Sequence, residues 1–299
     1  MDYNNQIFLY QSIEEFQKKR DFLFSFSQTI NIEIEKKAYS KALRKCFYFP
    51  YKFLLNKIRI FLSIKKIDID KIDINKKENL DKLFIRFNSD KASQLELGGK
   101  VIKGHNYSPF YEKYFQKFKN KKNLKILEIG TLRGAAAASF YHYFCEPKVY
   151  CLDVNPFQTY FYSKNIRTIY CNTRSKNTIN SVAKYLDHKF DIIIDDGSHN
   201  VKDQILTLNT FLPKLITGGI YVIEDISQYL VFPHLNSDGL KNVTKLFLES
   251  INSDNVKIPE CLTNDEYKNI KDNIKNLFFE RGEYFYQNTN ISDIVFIEK

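Results

Sequence analysis

Acidic side chains and a histidine stand together in two short segments of the 299-residue sequence, DDGSH at 195–199 and ED at 224–225. Each segment directly follows or ends an apolar run that predicts a β-strand, and neighbouring parallel strands end at the same edge of a sheet. Carboxylates that converge there repel one another unless a cation lies among them. Oxygen-only ligands suit a hard ion, so the pattern predicts Mg²⁺, which binds vicinal hydroxyls and lowers the pKa of the one that reacts.

His199 is the predicted general base for such chemistry. It follows a Gly-Ser turn three residues after Asp196, where we expect it to reach a hydroxyl bound at the ion. The alternative interpretation is that Asp196, Glu224 and Asp225 cap helices or lie in solvated loops. Asp195 could equally serve the cofactor or the fold.

A glycine turn after an earlier apolar run predicts the cofactor. The sequence EIGTLRG at 128–134 places Glu128 where a dinucleotide-binding fingerprint has its first glycine. A carboxylate there would repel a pyrophosphate, but it suits the ammonium and sulfonium groups of S-adenosylmethionine. Asp153, near the end of the next predicted strand, is placed to accept hydrogen bonds from ribose hydroxyls. The alternative is a tight turn that only packs a helix on a strand.

Five apolar runs alternate with predicted helices in the middle of the chain. The runs are LKILEI (124–129), KVYCLDV (148–154), NIRTIYC (165–171), KFDIIIDD (189–196) and GGIYVIED (218–225). Helices are predicted over 135–144, 179–186 and 201–216, followed from about 238 by two helices and then strands within 276–287 and 293–299. This alternation predicts an α/β fold of the Rossmann-like class I methyltransferase type, with a doubly wound, mostly parallel, seven-stranded sheet whose first five strands are ordered 3-2-1-4-5.

Positive charge is concentrated near the amino terminus. The net charge is +10, and residues 36–66 contain ten Lys and Arg and no acid. Three of these basic residues make the aromatic run at 46–64 a poor membrane span. We expect a helical, basic extension over 1–80 that includes a polar linker or exposed turn from residue 67, followed by a catalytic domain over 81–299. The basic segment either packs on that domain or contacts an anionic membrane surface.

Cysteine usage and the amino-terminal sequence bear on the compartment. The five cysteines form no CxxC pair and are odd in number, which is typical of reduced thiols in a cytosolic enzyme. The first residues lack the basic start and apolar stretch of a signal peptide. We expect a cytoplasmic protein, at the inner face of the membrane if the basic segment binds lipid.

Six blocks of sequence, in order, resemble one enzyme family. They are FNSDKASQ (87–94), HNYSPFYEKYF (105–115), LKILEIGTLRG (124–134), FDIIIDDGSH (190–199), FLPKLITGGIYVIED (211–225) and DIVFIEK (293–299). Over residues 86–299 the chain resembles class I methyltransferases of the metal-dependent sugar O-methyltransferase type, represented by the mycinamicin-type macrolide sugar enzymes, with cephalosporin-hydroxylase-like relatives. It departs from them at Asp203, where members often carry a second histidine, and in ISQYLVF (226–232), so the acceptor stays open.

The resemblance implies roles for individual residues. It implies that Asp196, Glu224 and Asp225 hold Mg²⁺ and that His199 is the base. It implies an S-adenosylmethionine pocket formed by Glu128, Gly130, Thr131, Gly134 and Asp153, with His105, Tyr107 and Tyr111 at its methionine end.

The sequence therefore predicts Mg²⁺-assisted transfer of a methyl group from S-adenosylmethionine to a sugar hydroxyl, in the assembly of a surface polysaccharide or another glycoconjugate. The alternatives are a metal-independent small-molecule methyltransferase, a nucleic-acid methyltransferase and a non-catalytic binding protein. Nucleic acid is disfavoured as a partner because the basic residues are not interleaved with the acidic edge, and no recognisable RNA or DNA module accompanies them. The oligomeric state stays open, a homo-oligomer included.

Overall fold

The computed structural model describes residues 66–74, 78–253 and 256–299. The predicted basic segment and its membrane contact lie outside these residues, apart from Lys66. No helix in the described part of the chain is both long enough and apolar enough to span a bilayer.

The described residues form thirteen strands and seven α-helices. The strands are β1 (Ile67–Asp68), β2 (Gln94–Leu97), β3 (Lys100–Lys103), β4 (Lys125–Ile129), β5 (Lys148–Asp153), β6 (Phe161–Tyr162), β7 (Ile166–Tyr170), β8 (Phe190–Asp195), β9 (Leu215–Ile223), β10 (Asn276–Arg281), β11 (Phe285–Tyr286), β12 (Thr289–Asn290) and β13 (Asp293–Glu298). The helices are α1 (Leu80–Phe87), α2 (Ser108–Phe115), α3 (Ala135–Tyr143), α4 (Lys176–Tyr185), α5 (Val201–Phe211), α6 (Thr244–Ser250) and α7 (Asn264–Asp272).

Seven of the strands form the central sheet, in the order β7-β5-β4-β8-β9-β13-β10. The first five in that order are parallel, and β13 pairs antiparallel with β9 and with β10. Numbered along the chain, these strands run 3-2-1-4-5-7-6, so the predicted α/β fold and strand order are confirmed. The winding reverses between β4 and β8, and ligands bind at the carboxyl ends of strands at such a reversal.

Helices cover both faces of the sheet because its central strands are apolar on both faces. Every residue of β8 is buried. Leu127 and Ile193 belong to a core cluster with α4, α5, α6 and α7, whereas Ile126 and Ile192 belong to a second cluster with α1, α2 and α3. Successive strand residues thus point to opposite faces, as the pleat requires.

The predicted helix over 201–216 ends earlier in the structure. The helix α5 ends at Phe211, a 3-10 turn follows at Leu212–Lys214, and β9 already begins at Leu215. Pro213 explains the change, because proline has no N–H to continue the helical hydrogen bonds. This part of the helix prediction was wrong.

The polar repeat from residue 67 was predicted to be a linker or an exposed turn. A 3-10 turn does form at Ile69–Lys71 with Asp70 and Lys71 exposed, but the same stretch also pairs with a strand and buries one side chain. The strand β1 pairs with β6, and Ile69 is fully buried in the core with α1. The Asp70 carboxylate accepts hydrogen bonds from Tyr141 at 2.6 Å and Ser163 at 2.7 Å. Ile69, which lies between Asp68 and Asp70, is buried although the composition of the stretch is polar. The division of the chain at residue 80 stays a prediction.

Candidate active site

The carboxyl ends of β8 and β9 bring the two acidic segments together. The backbone N–H of Glu224, directly after β9, donates to the Asp195 carbonyl at 3.0 Å. Just beyond, His199 and Asp225 have φ angles of 54° and 58°, in the left-handed region that residues other than glycine rarely adopt. Such backbone conformations persist only where the surrounding structure imposes them, and they cluster at functional sites.

His199 lies between two carboxylates. Its Nε2 is 3.8 Å from Asp196 Oδ1, and its Nδ1 is 3.8 Å from Asp225 Oδ2. One ligand atom from each of the three residues lies within 4.8 Å of the other two. The buried Nδ1 forms no hydrogen bond with any described residue. Separations of this size exceed a hydrogen bond and fit an ion or a substrate hydroxyl between the groups. We call these three residues the acid–histidine cluster.

Lys91 is a member of the site that the sequence analysis did not assign. Its Nζ donates hydrogen bonds to Asp196 and, at 3.0 Å, to Glu224. The lysine side chain is only 3% exposed. Lys91 precedes these partners by 105 and 133 residues, so no local spacing in the sequence links it to them. Its place in the FNSDKASQ block was the only available signal.

Two buried tyrosines and a histidine support the acids from the α2 side. The Tyr107 hydroxyl donates to Asp225 Oδ1 at 2.6 Å, and the Tyr111 hydroxyl donates to Glu224. His105 Nδ1 is 3.4 Å from Asp225 Oδ1. These three residues were expected at the methionine end of the cofactor pocket. The structure places all three on the acids after β9, and their contact with a cofactor stays a prediction.

Burial and mutual repulsion change the pKa values of the acids. Burial, followed by the charge of Asp196, raises the pKa of Glu224 well above its usual value. Burial also raises the pKa of Asp196, although the nearby Lys91 ammonium opposes this. Burial would lower the pKa of Lys91, but the carboxylates of Asp196 and Glu224 outweigh it and raise the pKa well above the usual value. Lys91 is therefore an ammonium at neutral pH.

The donor set fits a divalent cation. Among the described residues, the carboxyl groups of Asp196, Glu224 and Asp225 gather around His199 and the Lys91 ammonium, so acidic groups outnumber the lysine. Carboxylate oxygens are the donors that Mg²⁺ prefers. Glu224 is already paired with Lys91 and stands outside the acid–histidine cluster. Its predicted role as a metal ligand stays a prediction.

The glycine turn between β4 and α3 lies directly against this site. Glu128 is buried, accepts a hydrogen bond from the Thr131 hydroxyl, and has its pKa raised by burial to about 7. Gly130 has φ of 86°, and a Cβ there would lie 2.0 Å from the Asp196 carbonyl oxygen. Gly134 precedes α3 with φ of 80°. Only glycine at 130 permits this approach of the turn to the acidic segment.

Asp153 faces a cavity beside the glycine turn. Its carboxylate accepts hydrogen bonds from the backbone N–H groups of Leu132 at 2.8 Å and Asn155 at 2.6 Å, and burial raises its pKa. The cavity is about 510 Å³ and is lined by the end of β5, by the loop after β7, by Gly130 and by Gly197–Ser198. Cavities of this size accommodate small-molecule ligands. The predicted ribose-binding acid, the glycine turn and the DDGSH segment thus share one cavity.

Two other acids at this edge of the sheet stand apart from the acid–histidine cluster. Asp195 accepts a hydrogen bond from Thr207, and burial raises its pKa to about 7. Asp203, which replaces the second histidine of the resembled family, accepts a hydrogen bond from the Ser198 hydroxyl at 2.5 Å. These contacts favour the structural alternative for Asp195.

Comparison with protein-family models matches residues 111–288 to the family of FtsJ-like methyltransferases. The chain belongs to this family. The match begins at Tyr111 and includes the glycine turn, the acid–histidine cluster and Glu224. The FtsJ-like methyltransferase domain therefore contains most of the site described above, whereas Lys91, His105 and Tyr107 precede the matched residues.

Curated relatives are named O-methyltransferases. Demethylmacrocin O-methyltransferase of Streptomyces fradiae is 27% identical over 129 residues, which are 41% of this chain and 32% of that protein. Mycinamicin VI 2''-O-methyltransferase of Micromonospora griseorubida is 28% identical over 129 residues, with the same two shares. The matched segment of this chain thus spans about a third of the length of the curated relatives.

Solved structures share the fold of the chain. MycE methyltransferase from the mycinamycin biosynthetic pathway, in complex with Mg, SAH and mycinamycin VI, has a TM-score of 0.53 and 21% identity, covering 74% of this chain and 54% of that chain. MycE with Mg and SAH has a TM-score of 0.53 and 22% identity, covering 75% of this chain and 55% of that chain. At these identities the likeness shows a common Rossmann-like methyltransferase fold.

Proposed function

We propose that this chain is an S-adenosylmethionine-dependent, Mg²⁺-assisted O-methyltransferase that acts on a sugar hydroxyl. One observation carries the proposal: the glycine turn touches the acidic segment, because a Cβ on Gly130 would lie 2.0 Å from the Asp196 carbonyl oxygen. A methyl donor bound at the turn is then a neighbour of an acceptor bound at the acids. In-line methyl transfer requires that alignment of donor and acceptor.

The acids and His199 would prepare the acceptor. Asp196 and Asp225 would hold Mg²⁺, with Glu224 as the third predicted ligand. A bound Mg²⁺ orients the acceptor hydroxyls and lowers the pKa of the one that reacts. Because Mg²⁺ prefers oxygen ligands, the His199 imidazole stays available to accept the hydroxyl proton. The Tyr107 hydroxyl, 2.6 Å from Asp225, fixes the orientation of that carboxylate.

The glycine turn and the end of β5 would hold the methyl donor. Glu128 offers a buried carboxylate to the cationic methionine end, and Asp153 offers its oxygens to the ribose. Asp153 lines the cavity of about 510 Å³, and Glu128 lies at the start of the glycine turn, whose Gly130 also lines the cavity. Burial raises the pKa of Glu128 to about 7, and a cationic donor bound nearby would favour the ionised form of this side chain.

The printed names of the relatives support the proposed class of acceptor. An 8-demethyl-8-alpha-L-rhamnosyl tetracenomycin-C 2'-O-methyltransferase of Streptomyces olivaceus is named for a compound that carries a rhamnosyl group, and mycinamicin VI 2''-O-methyltransferase is likewise named for O-methylation. This supports a sugar hydroxyl as the acceptor. A role in surface polysaccharide or glycoconjugate assembly, and membrane contact through residues 36–66, stay predictions from the sequence.

The test is methyl transfer by the full chain from S-adenosylmethionine with a deuterated methyl group. The acceptor panel combines glycosides, nucleotide sugars and short RNA, and the products are read by mass spectrometry. We expect label on a glycoside or nucleotide sugar in Mg²⁺, loss of transfer in chelator, and loss in Asp196→Ala. Label on RNA alone would contradict the sugar acceptor. Transfer to a sugar that survives both chelation and Asp196→Ala would contradict the role of the metal.

A further inference from the structure

Lys91 places a positive charge inside the acidic cluster. Its Nζ donates to Asp196 and to Glu224, and it lies 3.9 Å from Asp90. The exposed fraction of the lysine side chain is 3%, and that of Glu224 is 2%. A buried ammonium in contact with two carboxylates is a fixed counter-ion, because leaving it unpaired would carry a large desolvation cost.

The backbone holds this lysine firmly in place. The N–H groups of His105 and Tyr107 donate to the carbonyls of Asp90 and Lys91 at 2.8 Å and 2.9 Å. Ala92, the residue after Lys91, also lies close to this second segment: a Cβ at Gly104 would lie 2.1 Å from the Ala92 carbonyl oxygen. The segment around Lys91 therefore packs directly against the segment around His105. These two segments thus place the Lys91 ammonium against Glu224 and the Tyr107 hydroxyl against Asp225.

The lysine divides the acids into two halves. Glu224 is held by Lys91 and by the Tyr111 hydroxyl. Asp196 turns Oδ2 to Lys91 and Oδ1 towards His199. Asp225 Oδ2 also faces His199. Lys91 therefore neutralises the half that contains Glu224, and in the other half Asp196 Oδ1 and Asp225 Oδ2 face the His199 ring.

We propose that Lys91 is a positioning residue whose ammonium competes electrostatically with a divalent cation at these acids and thereby sets the affinity of the site. This inference rests on the proposed function, because it presupposes that the acids take up Mg²⁺. Without Mg²⁺, the ammonium keeps the repelling carboxylates of Asp196 and Glu224 together. With Mg²⁺, it repels the incoming charge, so the ion is bound more weakly than three free carboxylates would bind it.

The test compares Mg²⁺ binding by the wild-type chain and Lys91→Met, which removes the charge and keeps most of the side-chain length. Calorimetry and thermal unfolding are measured without S-adenosylmethionine at constant ionic strength. We expect Lys91→Met to unfold at a lower temperature in chelator, to bind Mg²⁺ about tenfold or more tightly, and to gain more stability from Mg²⁺ than the wild type. Lys91→Arg, which keeps the charge, should bind Mg²⁺ close to the wild-type affinity.

Lys121→Met is the matched control. Lys121 also pairs with a buried aspartate, Asp191, but at the opposite end of β8. We expect this variant to lose stability without any change in Mg²⁺ affinity. A merely structural role for Lys91 would give the same pattern in Lys91→Met.

The outcomes separate this inference from the proposed function. If Lys91→Met binds Mg²⁺ no more tightly than the wild type does, the proposed competition between Lys91 and the cation is refuted, and the proposed metal site still stands. Absence of Mg²⁺ binding in the wild type overturns both. If Lys91→Met is unfolded in chelator, we expect Mg²⁺ to restore a cooperative unfolding transition, and a variant that stays unfolded at every Mg²⁺ concentration overturns the inference.

Discussion

His199 lies between the carboxylates of Asp196 and Asp225, on a backbone that holds it in the left-handed region. If it accepts the acceptor proton, its loss removes general-base assistance and leaves the donor pocket unchanged. We expect His199→Gln to lower the rate of methyl transfer by about 10² to 10⁴ with little change in S-adenosylmethionine affinity. Single-turnover kinetics and calorimetry measure the two quantities.

A histidine outside the site provides the control for that experiment. His188 precedes β8 at the other end of the sheet, where its ring packs on Tyr150 and Phe190. We expect His188→Gln to keep the wild-type rate of methyl transfer. Equal losses in the two variants would mean that neither histidine acts on the substrate.

Glu128 makes the stability of the protein depend on pH. Burial raises its pKa from the ordinary value of 4.5 to about 7. Between these values the folded protein holds a proton that the unfolded chain has lost. The contribution of Glu128 to the free energy of unfolding is therefore fully present below about pH 4.5 and is lost as the pH rises through about 7.

Glu128→Gln tests that dependence, because the amide resembles the protonated acid and does not titrate. We expect the free energy of unfolding of the variant to rise relative to the wild type as the pH increases from about 4.5 to about 7. Denaturant titrations at several pH values, without S-adenosylmethionine, measure the difference. A constant difference across that range would show that Glu128 does not titrate abnormally.

At the scale of the elements, the glycine turn determines how close the predicted donor pocket comes to the acids. Gly130 and Gly218 have similar φ angles of 86° and 75°, but a Cβ meets the Asp196 carbonyl oxygen at 2.0 Å in the first case and no atom within 4 Å in the second. Alanine at either position bears the strain of a positive φ, about 1 kcal/mol or more. Only at 130 must the turn also move away from the acidic segment.

The pair of variants separates backbone strain from this close approach. We expect Gly130→Ala to lose more free energy of unfolding than Gly218→Ala and to lose S-adenosylmethionine binding. Gly218→Ala should retain that binding. Chemical denaturation and calorimetry provide the two readouts, and equal effects of the two substitutions would show that the contact with Asp196 has no special role.

The elements that the sequence predicts well are those with a local signal. Apolar runs ended by acids predicted β4, β5, β8 and β9, and alternation with helices predicted their order, because parallel strands need crossover connections. A predicted helix ended early before Pro213, and Ile69 is buried in the core although its polar neighbours are not. Both outcomes depend on details that hydrophobic periodicity does not record.

The site was predicted in part for the same reason. Asp196, His199 and Asp225 follow strands whose neighbours could be inferred, so their meeting was foreseeable. Lys91 and Tyr111 approach Glu224 from segments more than a hundred residues away, and no spacing rule connects them. Contacts between distant segments depend on how α1 and α2 pack on the sheet, which the linear pattern does not specify.

At the scale of the whole molecule, the sheet topology explains why the glycine turn and the two acidic segments lie at the same edge of the sheet. The strand β4 has β5 on one side and β8 on the other, so the glycine turn lies between the end of β5 and the DDGSH segment. The next strand, β9, contributes Glu224 and Asp225. Within the part of the chain that the structure describes, the predicted donor pocket and the acidic site therefore adjoin.

Calorimetric titration of Mg²⁺ into the full chain tests the central claim most directly. We expect saturable binding in the wild type and an affinity lower by more than about tenfold in Asp225→Asn, which removes one carboxylate of the acid–histidine cluster. Asp203→Asn, at the same edge but paired with Ser198 outside the cluster, should bind Mg²⁺ as the wild type does. No binding in the wild type, or equal binding in Asp225→Asn, would contradict a metal-assisted site at these acids.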